Sequence, residues 1–180
     1  MSESALLVHP SWVFSLCFAG SLLLGLLLKF WLAARQMRHV VRHRGAVPVA
    51  FADTITLQSH QKAADYTLAK ARLGLVEMAL GSTLLLAWTL LGGLSALNQL
   101  LLSWLDAGML QQLALLAAFA LISAALELPL GWYQTFVLEQ GFGFNKMTPR
   151  LWLQDLLKSS LIGALIGLPI AALILWMMAA

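Results

Sequence analysis

Residues 12–34, 73–99, 110–138 and 159–178 are each apolar over about one bilayer crossing, and no other feature limits the fold so strongly. A membrane's hydrocarbon core is about 30 Å thick, and an α-helix crosses it in about 20 residues. Water cannot satisfy the backbone there, so each run must bond its own amides, as a helix does. The runs predict an all-α polytopic membrane protein with about four transmembrane helices. Charged residues are 11% of the chain, less than half of the roughly 25% in soluble domains. With 180 residues and no change of composition along it, the chain reads as one membrane module, 1–180.

The charges between the runs set the expected orientation. Arg35, Arg38, Arg42, Arg44, Lys62, Lys70 and Arg72 face only Asp53 and Asp65 in the first connection. Lys146, Arg150 and Lys158 stand with Glu139 and Asp155 between the third and fourth runs, while the other side carries Glu3 and Asp106. Basic residues collect on the cytoplasmic side, which places both basic connections inside and both chain ends outside. The expected setting is a bacterial inner membrane, another energy-transducing membrane or an endomembrane. The first run lacks the preceding positive charge of a secretion signal and has its arginines after it, as a retained anchor does. Cys17 stands alone, so no intramolecular disulfide or cysteine metal cluster is available.

Within the first connection, Gly45 and Pro48 mark a turn. Leu57, Ala64, Leu68, Ala71 and Leu75 then recur at near-helical spacing, and neither glycine nor proline occurs over 50–72. This predicts a cytoplasmic helix running straight into the second span. The uncharged stretch 78–105 is too long for one upright crossing, and Gly92-Gly93 with Asn98-Gln99 marks where it frays, leaving 94–105 as a helix end or interfacial piece. Pro129 should kink the third span, because it has no N–H and crowds the carbonyl four residues back. Gly141 and Gly143 permit positive φ, so the chain should leave the helix there and restart after Pro149.

Two stretches in these connections resemble one family. Phe-x-x-Glu-x-Gly-Phe-Gly-Phe-Asn-Lys over 136–146 and Lys-Ala-Ala-Asp-Tyr-Thr over 62–67, preceded by Arg44 and Pro48 and followed by Lys70, are similar to the amino-terminal membrane part of the type I CAAX prenyl proteases. Those are integral-membrane zinc metalloendopeptidases. The resemblance implies a seven-helix intramembrane chamber whose His-Glu-x-x-His helix lies downstream of the region matched here. This segment is then chamber wall and anchor, inactive alone, with no metal or cofactor of its own; zinc belongs to the full-length enzyme. Its implied partners are the lipid bilayer, a carboxy-terminal protease portion, and membrane-associated or prenylated CAAX substrates. The segments 44–72 and 139–155 become the cytoplasmic interface to the protease portion. Arg44, Pro48, Lys62, Asp65, Tyr66 and Lys70 are interface candidates in the first; Glu139, Phe142, Gly143, Phe144, Asn145 and Lys146 are those in the second. Glu127 and Pro129 are chamber-lining candidates, with Glu127, like Glu77, expected near a cytoplasmic helix end.

The remaining signals add no catalytic chemistry. His39 and His43 have the spacing of two zinc ligands, but Val40 stands where the catalytic glutamate must be and Arg38, Arg42 and Arg44 surround the pair. The pair reads as a basic interfacial segment against anionic lipid head groups. Gly163 and Gly167 share a helix face and allow either dimerisation or packing within a larger bundle. There is no phosphate loop, dinucleotide fingerprint or serine nucleophile motif, and no case for nucleic acid. A stand-alone scaffold or small transporter is the competing reading. Transport calls for paired polar groups in mid-membrane or repeated broken helices, of which the chain offers one kinked span.

Overall fold

A computed structural model describes residues 10–179, and every regular element among them is helical. Four of the helices are long and apolar enough to span a membrane. Chain contacts divide the molecule into two compact units, one ending at Leu91 and one beginning at Gly92.

The first unit is a helical hairpin. α1 runs Pro10–His43 and α2 runs Leu57–Thr89, 34 and 33 residues. At 1.5 Å per residue each is about 50 Å long, about 20 Å more than the hydrocarbon core. The excess is the polar end of each helix. α1 continues nine residues past the expected boundary at 34 because no glycine or proline interrupts it between Gly25 and Gly45. A short 3-10 turn, Val49–Phe51, follows Pro48. Thr56 caps α2, its hydroxyl accepting the Ser59 amide at 3.2 Å, one of the orphan donors that every helix start must satisfy. From there α2 is continuous into the apolar run, as the periodicity predicts.

The second span ends earlier than expected. Instead of reaching 99, α2 stops at Thr89, the Leu91 amide bonds the Leu86 carbonyl, and Gly92 takes φ 81°. A left-handed residue ends an α-helix. α3, Gly93–Leu102, is a separate helix of 10 residues, about 15 Å long and too short to cross.

The second unit holds α3, α4 (Met109–Tyr133) and α5 (Pro149–Ala179). α4 passes through Pro129 without ending, then widens into a π-helical segment, Gln134–Glu139. α5 begins ten residues before the expected span at 159, because Thr148 accepts the Leu151 amide and Pro149 occupies the first helical position, where a missing N–H costs nothing. Between α3 and α4, Gln111 is buried and donates to Asn98 Oδ1 at 2.6 Å.

Burial is inverted relative to a soluble fold. The buried apolar residues among those described are Ala64, Leu73 and Leu138, whereas large side chains such as Leu27, Leu121, Leu165 and Trp176 are more than half exposed. In water such a surface would aggregate; in lipid it is the outer face of a membrane protein.

Candidate functional site

Each unit carries one ordered polar connection, and the expected interface residues fall on these two. In the hairpin, Arg44 follows the end of α1 and reaches Asp65 on α2 with both arms of its guanidinium: Nε to Oδ1 and Nη2 to Oδ2, each 2.7 Å. Such forked pairing fixes orientation as well as charge. Both side chains keep about two-fifths of their surface exposed, 43% and 41%, so water screens the pair and its value lies in geometry. The hydrogen bond to Asp65, reinforced by its negative charge, raises the Arg44 pKa above its ordinary range. Pro48 opens the 3-10 turn with φ −56°. One helical turn past Tyr66, Lys70 sets its ammonium 5.8 Å from the Tyr66 ring centroid, within cation–π range. Lys62 lies exposed on α2.

The second connection joins α4 to α5. The Gly143 amide bonds the Gln140 carbonyl at 3.0 Å, the Phe144 amide bonds the Glu139 carbonyl at 2.9 Å, and Gly143 has φ 74°. This is a Schellman cap, with Gly143 as its left-handed residue. Gly141 stays helical, so the expected exit narrows to one glycine. The Asn145 amide shares the Glu139 carbonyl at 3.3 Å, and Asn145 Oδ1 accepts the Met147 amide at 2.6 Å. Lys146 is exposed between them and Phe142 is half-buried. Glu139 thus acts through its backbone carbonyl, while its carboxylate lies 3.5 Å from Gln134 Nε2.

Behind this turn lies an aromatic cluster that the motif reading did not single out. Trp132 meets Trp152 edge-on at 5.4 Å and Phe136 at 4.3 Å, and Phe136 and Trp152 are 6.3 Å apart. The four-residue spacing of Trp132 and Phe136 is the signal that could have found it. Glu127 is exposed on α4, two residues before Pro129. It stands 12 residues before Glu139, about 18 Å along the helix.

The histidines are tied to backbone carbonyls. The His39 and His43 rings stack with centroids 4.2 Å apart, His43 Nδ1 is 2.9 Å from the His39 carbonyl, and His60 Nε2 is 3.0 Å from the His43 carbonyl. Among the described residues no three His, Cys, Asp or Glu side chains converge as a metal would require.

Residues 36–180 match the family described as the CAAX prenyl protease N-terminal region with five membrane helices. The chain is similar to CAAX prenyl protease 1 of Saccharomyces cerevisiae, 45% identical over 65 residues, which are 36% of this chain and 14% of the relative. Similarity to a probable CAAX prenyl protease 1 of Schizosaccharomyces pombe extends over 153 residues at 28% identity, 76% of this chain and 31% of the relative. The crystal structure of S. mikatae Ste24p superimposes with a TM-score of 0.78 at 26% identity, over 86% of this chain and 37% of that one. The chain therefore spans little more than a third of the solved relative.

Proposed function

The chain belongs to the CAAX prenyl protease family, whose N-terminal membrane part it represents, and from that membership we propose that it forms the wall and anchor of a membrane-embedded zinc metalloendopeptidase. The observation that carries this is the fit to Ste24p over 86% of the chain, together with two self-ordered connections at the polar ends of the spans. The catalytic zinc is supplied with ligands by a protease portion outside these 180 residues, since the sequence contains no His-Glu-x-x-His. The substrate class is membrane-associated proteins, prenylated CAAX proteins among them.

In this reading the named residues divide the work between the two connections and the spans. Arg44 and Asp65 close the α1–α2 hairpin just beyond the apolar run, and Lys62, Tyr66 and Lys70 face the protease portion from the same helix. Glu139, Gly143 and Asn145 set the angle at which α4 hands over to α5, while Phe142, Phe144 and Lys146 meet the protease portion there. Glu127, with Pro129 beside it, lines the chamber. Both basic connections lie in the cytoplasm and both chain ends outside, in an endomembrane or a bacterial inner membrane.

The test compares the full-length protein with the 180-residue chain for bound zinc and for cleavage of a farnesylated CAAX peptide. We expect stoichiometric zinc and cleavage from the first and neither from the second. Zinc or cleavage by the 180 residues alone overturns the assignment of wall and anchor. Their absence from the full-length protein favours the scaffold reading.

A further inference from the structure

Between the polar ends of α1 and α2 lies an open groove of about 270 Å³, lined by the imidazoles of His39, His43 and His60 over a floor that includes Val40, Ala63 and Ala64. That is room for about nine waters at ~30 Å³ each, enough for a small anion and its first hydration. A carbonyl oxygen can only accept, so the two carbonyl contacts require a proton on Nδ1 of His43 and on Nε2 of His60. The nitrogen left on each neutral ring, Nε2 of His43 and Nδ1 of His60, is then a lone pair. It becomes a donor only in the imidazolium.

The charges carried by the elements that form the groove favour an anion over a cation. α1 contributes Arg35, Arg38 and Arg42, the connection Arg44 and Asp53, and α2 Lys62 and Asp65. Arg44 and Asp65 neutralise each other; apart from that pair, α1 brings three arginines and the connection one carboxylate, Asp53. The depth suits a lipid headgroup. His39 is five residues beyond Ala34, where the apolar run ends, or about 7 Å further along the helix, and the headgroup layer is roughly 5–8 Å thick in each leaflet.

We propose that this groove binds a phosphodiester monoanion, of the kind an anionic phospholipid carries, between His39, His43 and His60. The phosphate oxygens take N–H bonds from the imidazolium rings, with the arginines of α1 adding attraction. Affinity rises on acidification, because the free ring nitrogens become donors only when protonated.

The experiment is equilibrium binding of short-chain phosphatidylglycerol, and separately of dimethyl phosphate, to the chain in neutral detergent at about pH 5.5 and about pH 7.5. Both probes keep one fixed charge over that range, so any pH effect belongs to the protein. Only the imidazolium offers both ring nitrogens as donors, so phosphatidylglycerol should bind at least about twofold tighter at the lower pH. His39→Gln, which leaves both carbonyl bonds in place, and His60→Gln should each reduce that step while pH-independent attraction to arginine persists. Competition by dimethyl phosphate assigns the site to the phosphodiester alone; binding of the lipid without such competition assigns it to the lipid headgroup in place. No binding, a pH step below about twofold, or a step unchanged in His39→Gln overturns the proposal.

Discussion

Alanine at Gly143 and alanine at Gly141 should change the stability of the α4–α5 connection in opposite directions, although the two positions are two residues apart. Gly143 sits at φ 74°, where a Cβ crowds the following carbonyl at a cost of about 1–2 kcal/mol. Alanine also narrows the unfolded ensemble and recovers part of that, about 0.4–1 kcal/mol, which leaves a net loss near 1 kcal/mol. Gly141 is helical, and a Cβ built on it meets nothing within 4 Å. Alanine there gains the helix-propensity difference, about 0.5 kcal/mol at a last-turn position. The two variants therefore differ by about 1.5 kcal/mol, or about tenfold in a local opening equilibrium. The reporters are the Phe144 and Asn145 amides, both bonded to the Glu139 carbonyl. Hydrogen exchange at these amides should speed up about fivefold in Gly143→Ala and slow about twofold in Gly141→Ala. If both substitutions slow exchange, Gly143 is not left-handed and the capping argument fails; if neither changes it, the cap does not hold the turn.

Three further outcomes follow from contacts elsewhere. Asn98→Leu strips the buried Gln111 amide of its partner at 2.6 Å and should destabilise by about 0.6–1.7 kcal/mol, the range for interhelical hydrogen bonds in membranes; a double-mutant cycle with Gln111→Leu in mixed micelles measures the coupling, and zero coupling would refute it. Trp152→Ala removes two edge-on ring contacts and should cost about 1–3 kcal/mol beyond lost area, with Trp152→Phe recovering most of it in the same unfolding assay. Asp65→Asn should make the 44–56 connection more sensitive to trypsin, and the swap Arg44→Asp with Asp65→Arg should restore resistance, because the forked pair depends on opposite charges rather than on which side bears them.

Features that depend on local chemistry were legible in the sequence. The apolar runs gave the number of long helices, the periodicity from Leu57 gave the continuous α2, and Pro149 gave the restart. Features that depend on a choice between equivalent signals were not. Gly141 and Gly143 both permit positive φ, and their spacing in the sequence does not say that Gly143 takes it. The stretch 78–105 is apolar on both sides of Gly92, so hydropathy could not show that the helix stops at Thr89 rather than near Gln99. Arg44 and Asp65 lie 21 residues apart, a distance over which spacing says nothing about contact. The expected chamber position of Glu127 has no contact in the structure to decide it.

The two motifs lie in the connections rather than the spans for a physical reason. A lipid-facing position accepts any apolar residue of suitable size, and α5 shows how far this goes: Leu157, Leu161, Ile162, Leu165, Ile166 and Ile170 are all exposed, so none is restricted by a neighbour in this chain. The turn at Gly143, by contrast, tolerates only a residue at ease with positive φ, and the fork at Arg44 needs a carboxylate within hydrogen-bond distance of two guanidinium nitrogens. Specific sequence is therefore needed where the backbone leaves the bilayer. In the spans, surface that this chain does not cover falls to lipid or to further helices, and Gly163 and Gly167 on α5 leave room for a close approach, each open within 4 Å of an added Cβ. The polar connections are complete within themselves, whereas the helices they join still have most of their contacts to make.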